Sequence, residues 1–145
     1  MKKFIFTLTT LFSLMFASIC IAADGSFIGS EQKTAEIFAD GLLRLSETDA
    51  RYNYIAKYFE DNLKKKFDEK QFDQMRDFLR NQCGKLSNLE FKALRRETEG
   101  DTLYYRAQGT KIPGVLLNVH FNKDKEIVQF DVGPDTETNQ KTTDK

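Results

Sequence analysis

Apolar residues recur every three or four positions through the first half of the chain, a spacing that predicts helices. The first helix is expected at about residues 31–46, with a stripe at Ala35, Phe38, Leu42 and Leu45. A second helix is expected after a cap at Thr48 or Asp49, with an apolar seam through Tyr52, Ile55, Ala56, Phe59, Leu63 and Phe67. A third begins near Asp68, buries Phe72, Met75, Leu79 and also Phe78, and ends at Gly84.

After Gly84 the pattern changes to strict alternation, which predicts strands. Four alternating segments follow, separated by turn signals at 99–101 and 122–125 and by the breaker Pro113-Gly114. Helices followed by an antiparallel meander predict an α+β domain. We expect three N-terminal helices packed on one face of a curved four-stranded antiparallel sheet.

Period two also assigns each strand residue to a face of the sheet. The predicted core face is almost purely hydrocarbon and comprises Leu89, Phe91, Leu103, Tyr105, Val115, Leu117, Val119, Phe121, Val128, Phe130 and Val132. The outer face carries polar residues together with Leu94 and Ile127, and its interface candidates are Tyr104, Arg106, Asn118, His120 and Gln129. A general base therefore has no obvious place on the core face.

The first residues have the three parts of a secretory signal peptide. Lys2 and Lys3 are followed by an uncharged, largely apolar run over 4–19, and small residues close it at Ala22 and Ala23, the expected cleavage site. The run is shorter than the roughly 20 residues of a membrane-spanning helix. We therefore expect a signal peptide over 1–23, a single exported domain over 24–132 and a disordered tail over 133–145, with no integral membrane segment after cleavage.

The two cysteines leave one alternative open. Cys20 could carry a lipid, although Ile19 stands where lipoprotein signals place Gly or Ala. Cleavage after Ala22 or Ala23 would leave Cys83 as the only thiol, so that no intrachain disulfide can form. Removing Lys2 and Lys3 leaves 20 basic residues against 22 acidic ones, a net charge of about −2, which argues against nucleic acid as a partner.

Few residues suggest chemistry. His120 is the single histidine and falls on the outer face, where a structural role is favoured over catalysis, and one histidine without a cysteine cluster does not predict a metal site. The run Lys64-Lys65-Lys66 is typical of a solvated helix face. Tyr54 and Tyr58 lie beside the apolar seam, where they could line the mouth of a pocket or simply pack. No catalytic residue and no cofactor is predicted.

The order of elements, with a few anchor residues, resembles the small exported bacterial members of the nuclear transport factor 2-like superfamily. The anchors are Leu42-Leu43, the turn Asp49-Ala50-Arg51-Tyr52, the segment from Phe59 to Leu63-Lys64, then Phe72, Phe78-Leu79 and Gly84. This resemblance implies a sheet wrapped around helices as a cone that holds a small apolar ligand, and an outer face that often pairs two subunits. The pocket candidates inside such a cone are Tyr54, Tyr58, Tyr105 and Phe121.

Enzymes of that superfamily, such as ketosteroid isomerases and polyketide cyclases, place an Asp, or an Asp and a His, inside the cone. This chain departs from them, because His120 and nearly all of its strand acids fall on the outer face by parity. We therefore expect a non-enzymatic exported domain that binds a small apolar ligand or a protein partner, with a homodimer through the outer sheet face as one form of partner. The alternative is an isomerase- or hydrolase-like enzyme with its pocket inside the cone.

Overall fold

The structure, a computed structural model, describes residues 29–46 and 51–135. Helices come first, at α1 (Gly29–Leu43), α2 (Tyr52–Ala56), α3 (Asp61–Lys66) and α4 (Glu69–Cys83). Strands follow at β1 (Leu86–Glu97), β2 (Gly100–Gly109), β3 (Val115–Phe121) and β4 (Ile127–Pro134). The α+β class with a four-stranded antiparallel sheet is therefore confirmed. The expected signal peptide, Cys20 and the cleavage site at Ala22 and Ala23 lie outside the described residues.

Both ends of α4 follow from local sequence chemistry. The Asp68 carboxylate accepts a hydrogen bond from the Gln71 backbone N–H at 2.9 Å, and the Gln71 side-chain oxygen accepts one from the Asp68 N–H at 3.0 Å. This capping box satisfies two N–H groups that the first turn leaves free. At the other end Gly84 has φ 76°, and a Cβ there would collide with the Thr110 hydroxyl. The predicted third helix is thus confirmed at both ends.

The predicted second helix is wrong as one continuous element. It is broken between α2 and α3, where the Tyr58 carbonyl accepts from the Ile127 N–H at 2.8 Å and the Glu60 N–H donates to the Ile127 carbonyl at 3.0 Å. These bonds join the segment to the start of β4 and are incompatible with helix at the same residues. The Glu60 side chain then accepts from the Asn62 N–H at 3.0 Å and caps α3.

The cap predicted at Thr48 or Asp49 lies outside the described residues, and Arg51 occupies the N-cap position of α2 without a capping side-chain bond. The inner face of α4 also differs from the expectation. Phe78 is 58% exposed, whereas Arg76 is buried with its guanidinium 5.1 Å from the centre of the Phe72 ring. The Arg76 guanidinium also lies 3.6 Å from the Asp73 carboxylate, and these two contacts explain how a charged residue takes a buried position.

The strands are ordered β1-β2-β3-β4, each antiparallel to its neighbour. In the centre of the sheet Leu103 pairs with Val119 and Tyr105 with Leu117, and all four are buried. The residues between them, such as Tyr104 and its partner Asn118, face the other side. The face assignments made from period two are therefore confirmed for β2 and β3.

In β4 the assignment fails at the first two residues. His120 pairs with Gln129 but Phe121 pairs with Ile127, so Val128 is an extra residue in a β-bulge. The bulge reverses the alternation, because one additional residue exchanges the two faces of a strand. As a result Ile127 is fully buried and Val128 is 36% exposed, the opposite of what was expected.

A bulge also reverses part of β1. Phe91 pairs with Tyr105 and Ala93 with Tyr104, so Lys92 is the extra residue. Leu94, expected outside, therefore pairs with Leu103 on the core side, and Ala93 faces outward. Phe91 lies on the core side but remains 38% exposed.

The core is one cluster of buried side chains from the helices and the inward positions of the strands. Phe59 is fully buried at its centre, with ring centroids 5.7 Å from Phe38, 6.2 Å from Tyr52 and 6.3 Å from Phe67. Strand β4 continues to Pro134, two residues past the predicted domain boundary at 132. No helix in the described part of the chain is long and apolar enough to cross a membrane.

Candidate functional site

An apolar pocket lies between α4 and the ends of β3 and β4, and we call it the α4 pocket. Its volume is about 380 Å³. It is lined by Met75, Phe78, Leu79, Gln82, Cys83, Ile112, Val115, Val132, Gly133 and Pro134. This volume lies within the range of roughly 300–1,000 Å³ that is common for small-molecule sites.

Hydrogen bonds between backbone groups hold the walls of the α4 pocket. The Lys111 N–H donates to the Cys83 carbonyl at 3.0 Å, which places the loop that carries Ile112 against the end of α4. The Asp135 N–H donates to the Gly114 carbonyl at 3.0 Å, which holds the end of β4 beside β3. The walls of the α4 pocket are therefore held in place by hydrogen bonds between backbone groups, and not by contacts of loop side chains alone.

The lining of the α4 pocket carries no formal charge. Gln82 contributes an amide, and the one titratable group is the Cys83 thiol. Burial raises the pKa of Cys83, so the thiol stays protonated at neutral pH. A protonated thiol is a poor nucleophile, and the lining as described offers apolar contact rather than acid–base chemistry.

A second, more open depression adjoins the α4 pocket along the same helix. It is lined by Phe67, Gln71, Gln74, Met75 and Phe78. Met75 and Phe78 belong to both depressions, so the half-buried methionine and the exposed ring stand between them. Apolar surface thus continues along one side of α4.

The four residues predicted to line a pocket lie elsewhere. Tyr54 is 50% exposed, and the Lys57 ammonium lies 4.1 Å from its ring centre and 4.8 Å from that of Tyr58. Tyr105 and Phe121 are buried in the core. None of the four lines either depression. Tyr105 and Phe121 pack on the core side of the central strands, which is filled by aliphatic and aromatic side chains.

The five interface candidates do share the outer sheet face, as the register places them. Three of them, Arg106, Gln129 and His120, are engaged within the chain. Arg106 Nε lies 2.5 Å from Asp135 Oδ2, a carboxylate that is itself buried. Gln129 donates to Asp131 at 3.3 Å. Tyr104 and Asn118 are half-buried and opposite each other on β2 and β3.

His120 connects three strands through its two ring nitrogens. Its Nδ1 lies 2.9 Å from the Thr102 hydroxyl on β2, and its Nε2 lies 3.1 Å from Asp131 on β4. A neutral ring protonated at Nε2 satisfies both contacts, accepting from Thr102 and donating to Asp131. Sequence reasoning missed Thr102, although the pairing of Thr102 with His120 could have revealed it.

A hydroxyl, an imidazole and a carboxylate in a row are the components of a hydrolytic triad. In this protein the Thr102 residue is only 3% exposed, so its hydroxyl is shielded from a substrate. The three residues belong to neither apolar depression. What the row does is join side chains of β2, β3 and β4 by hydrogen bonds.

Within 29–46 and 51–135, no three His, Cys, Asp or Glu side chains lie close enough together to hold a metal ion. Sequence reasoning named Met75, Phe78, Leu79, Cys83, Val115 and Val132 as core candidates or a packed thiol, and it did not bring them together with Ile112 and Pro134 as a pocket.

No protein-family model, no curated protein and no solved structure matches this chain.

Proposed function

We propose that this protein is an exported, non-enzymatic binding domain that holds a small apolar ligand in the α4 pocket. The observation that carries the proposal is the uncharged pocket of about 380 Å³ with Phe78 exposed beside it. An apolar lining next to a solvent-exposed phenylalanine is surface that a ligand would remove from water.

The gain from binding comes mainly from Phe78. Its side chain is 58% exposed, so a ligand packed against the ring can bury more than half of a phenylalanine. Full burial of such a side chain contributes about 1.5–3 kcal/mol, so this contact alone is worth about 1–2 kcal/mol. The remaining affinity comes from Met75, Ile112 and Val132, which are half-buried before binding.

The ligand that fits this lining is neutral where it contacts the protein. A buried carboxylate or ammonium would lack a partner in the α4 pocket, and burying an unpaired charge is costly. Any polar group of the ligand would have to meet the Gln82 amide or remain in solvent. This chemistry favours binding and offers nothing for the isomerase or hydrolase alternative.

A fluorescence titration with N-phenyl-1-naphthylamine tests the proposal, because this probe brightens in apolar sites. The chain contains no tryptophan, so intrinsic emission does not interfere. We expect saturable binding to the wild type, and binding weakened by about tenfold or more in Val132→Phe, which fills the pocket with one added ring.

The matched control is Val128→Phe, the same substitution on the same strand at an exposed position outside the pocket. It should bind the probe as the wild type does. Absence of saturable binding to the wild type, or equal weakening in both variants, would contradict the α4 pocket as a ligand site.

A further inference from the structure

The outer edge of β1 is a long and incompletely covered strand edge. At 12 residues β1 is the longest strand described, and within residues 29–46 and 51–135 it pairs only with β2. Phe91 faces the core side of the sheet and still exposes 38% of its surface. Leu94, on the same side, is half-buried. Edges of this kind are templates for pairing with another strand.

The bulge at Lys92 decides which residues could meet a second strand. Because Lys92 is the extra residue, Phe91 and Leu94 face the core side, whereas Glu90, Ala93 and Arg95 face outward. Along the strand these five residues occupy successive positions with Ala93 at their centre. The residues that face outward are therefore, in order along the strand, an acid, an alanine and a base.

We propose that β1 pairs with β1 of a second copy, antiparallel about a two-fold axis at Ala93, to give a continuous eight-stranded sheet. In this register Phe91 lies opposite Leu94 of the second copy, so the exposed ring gains an apolar neighbour. Glu90 lies opposite Arg95 of the second copy. The two-fold axis repeats both contacts, as in any isologous interface.

Charge complementarity identifies the occupant as this same strand. In the single chain Glu90 pairs with Lys92 at 3.1 Å and Arg95 with Glu97 at 2.8 Å, and these side chains are well exposed. Exposed pairs of this kind contribute little and can be exchanged. Opposite charges facing each other across antiparallel strands are favourable, and like charges are unfavourable. With Lys92 left out of the pairing as the extra residue, any register displaced along the strand from this axis loses both the Glu90–Arg95 match and the Phe91–Leu94 match.

This dimer differs from the one expected through the outer sheet face, and it does not depend on the proposed ligand. Sedimentation equilibrium of the processed protein from about 5 to 300 µM should show a concentration-dependent dimer. Arg95→Glu should raise the dissociation constant about tenfold or more, because it places two acids opposite each other twice in the interface. Glu90→Arg should do the same.

The double variant Glu90→Arg with Arg95→Glu exchanges the two charges and should restore dimerisation to within about threefold of wild type. Lys123→Glu, in the exposed turn before β4, makes the same charge reversal as Arg95→Glu and should leave association unchanged. A wild type that remains monomeric over the whole range would overturn the proposal. So would a double variant no better than the single ones.

Cross-linking identifies the axis directly. Ala93→Cys places two thiols on the two-fold axis and should give a covalent dimer under mild oxidation, whereas Leu116→Cys, on the outer face, should not. Cys83 is buried and present in both variants. Cross-linking of Leu116→Cys without Ala93→Cys would assign the dimer to the outer face and overturn the β1 pairing.

Discussion

Phe59 and Phe78 allow the same substitution to be compared at a buried and an exposed site. Phe59 is fully buried and its ring contacts three other aromatic rings, whereas Phe78 is 58% exposed. Removing a buried phenylalanine side chain typically costs about 3–5 kcal/mol, because apolar contacts are lost and a cavity remains. We expect about 4 kcal/mol for Phe59→Ala, a large part of a domain's stability of about 5–15 kcal/mol.

For Phe78→Ala we expect the free energy of unfolding to fall by less than about 1 kcal/mol, because most of that ring is already in water. Urea unfolding followed by circular dichroism measures both. With a slope of about 1.5 kcal/mol per molar, Phe59→Ala should lower the midpoint by about 2–3 M and Phe78→Ala by less than about 0.7 M. Phe59→Leu, which keeps most of the volume but loses the ring contacts, should fall between the two.

Equal midpoints for Phe59→Ala and the wild type would refute the position assigned to Phe59. That result would mean that the segment between α2 and α3 does not pack under the sheet, and that the bonds from Tyr58 and Glu60 to Ile127 do not form. A large loss for Phe78→Ala would instead show that this ring is buried, and it would remove the main contact from the ligand proposal.

Other predictions concern the titration of the core, a helix cap and export. Burial, with a contribution from Glu36, raises the pKa of Tyr105, so this tyrosine ionises at lower pH in the unfolded chain than in the folded one. The free energy of unfolding should therefore fall above about pH 10, and it should fall less steeply in Tyr105→Phe. Urea midpoints measured at two pH values will show the difference. Asp68→Ala removes the cap of α4 and should cost about 0.5–2 kcal/mol in the same assay. The intact mass of exported protein should correspond to cleavage after Ala22 or Ala23; retention of Cys20, with or without acyl chains, would contradict this.

Local pattern was sufficient where neighbours in sequence determine the structure. The period of α4, its Asp68 cap and its end at Gly84 follow from short-range chemistry, and so do the faces of β2 and β3. It failed where a distant segment intervenes. The predicted second helix is interrupted because Tyr58 and Glu60 hydrogen-bond Ile127, which lies far along the chain.

The bulges at Lys92 and Val128 show a second reason for failure. An extra residue at Lys92 or Val128 leaves the alternation of the printed sequence intact while exchanging faces in space. The α4 pocket could not be predicted from the sequence pattern either, because its lining comes from a helix, a loop and the ends of two strands. The one local signal for it was the apolar stripe of Met75, Phe78 and Leu79. This stripe includes two residues, Met75 and Phe78, that do not belong to the buried face of α4.

Met75 offers the most direct test of the α4 pocket. The chain has three methionines, and Met1 and Met15 lie in the expected signal peptide, so the processed protein should give one methyl resonance when labelled with ¹³C-methyl methionine. Met75 lines both depressions beside Phe78. We predict that N-phenyl-1-naphthylamine shifts this resonance saturably in the wild type and in Val128→Phe, and that Val132→Phe needs about tenfold or more probe for the same shift. A resonance that stays fixed while probe fluorescence saturates would place the ligand elsewhere and contradict the account.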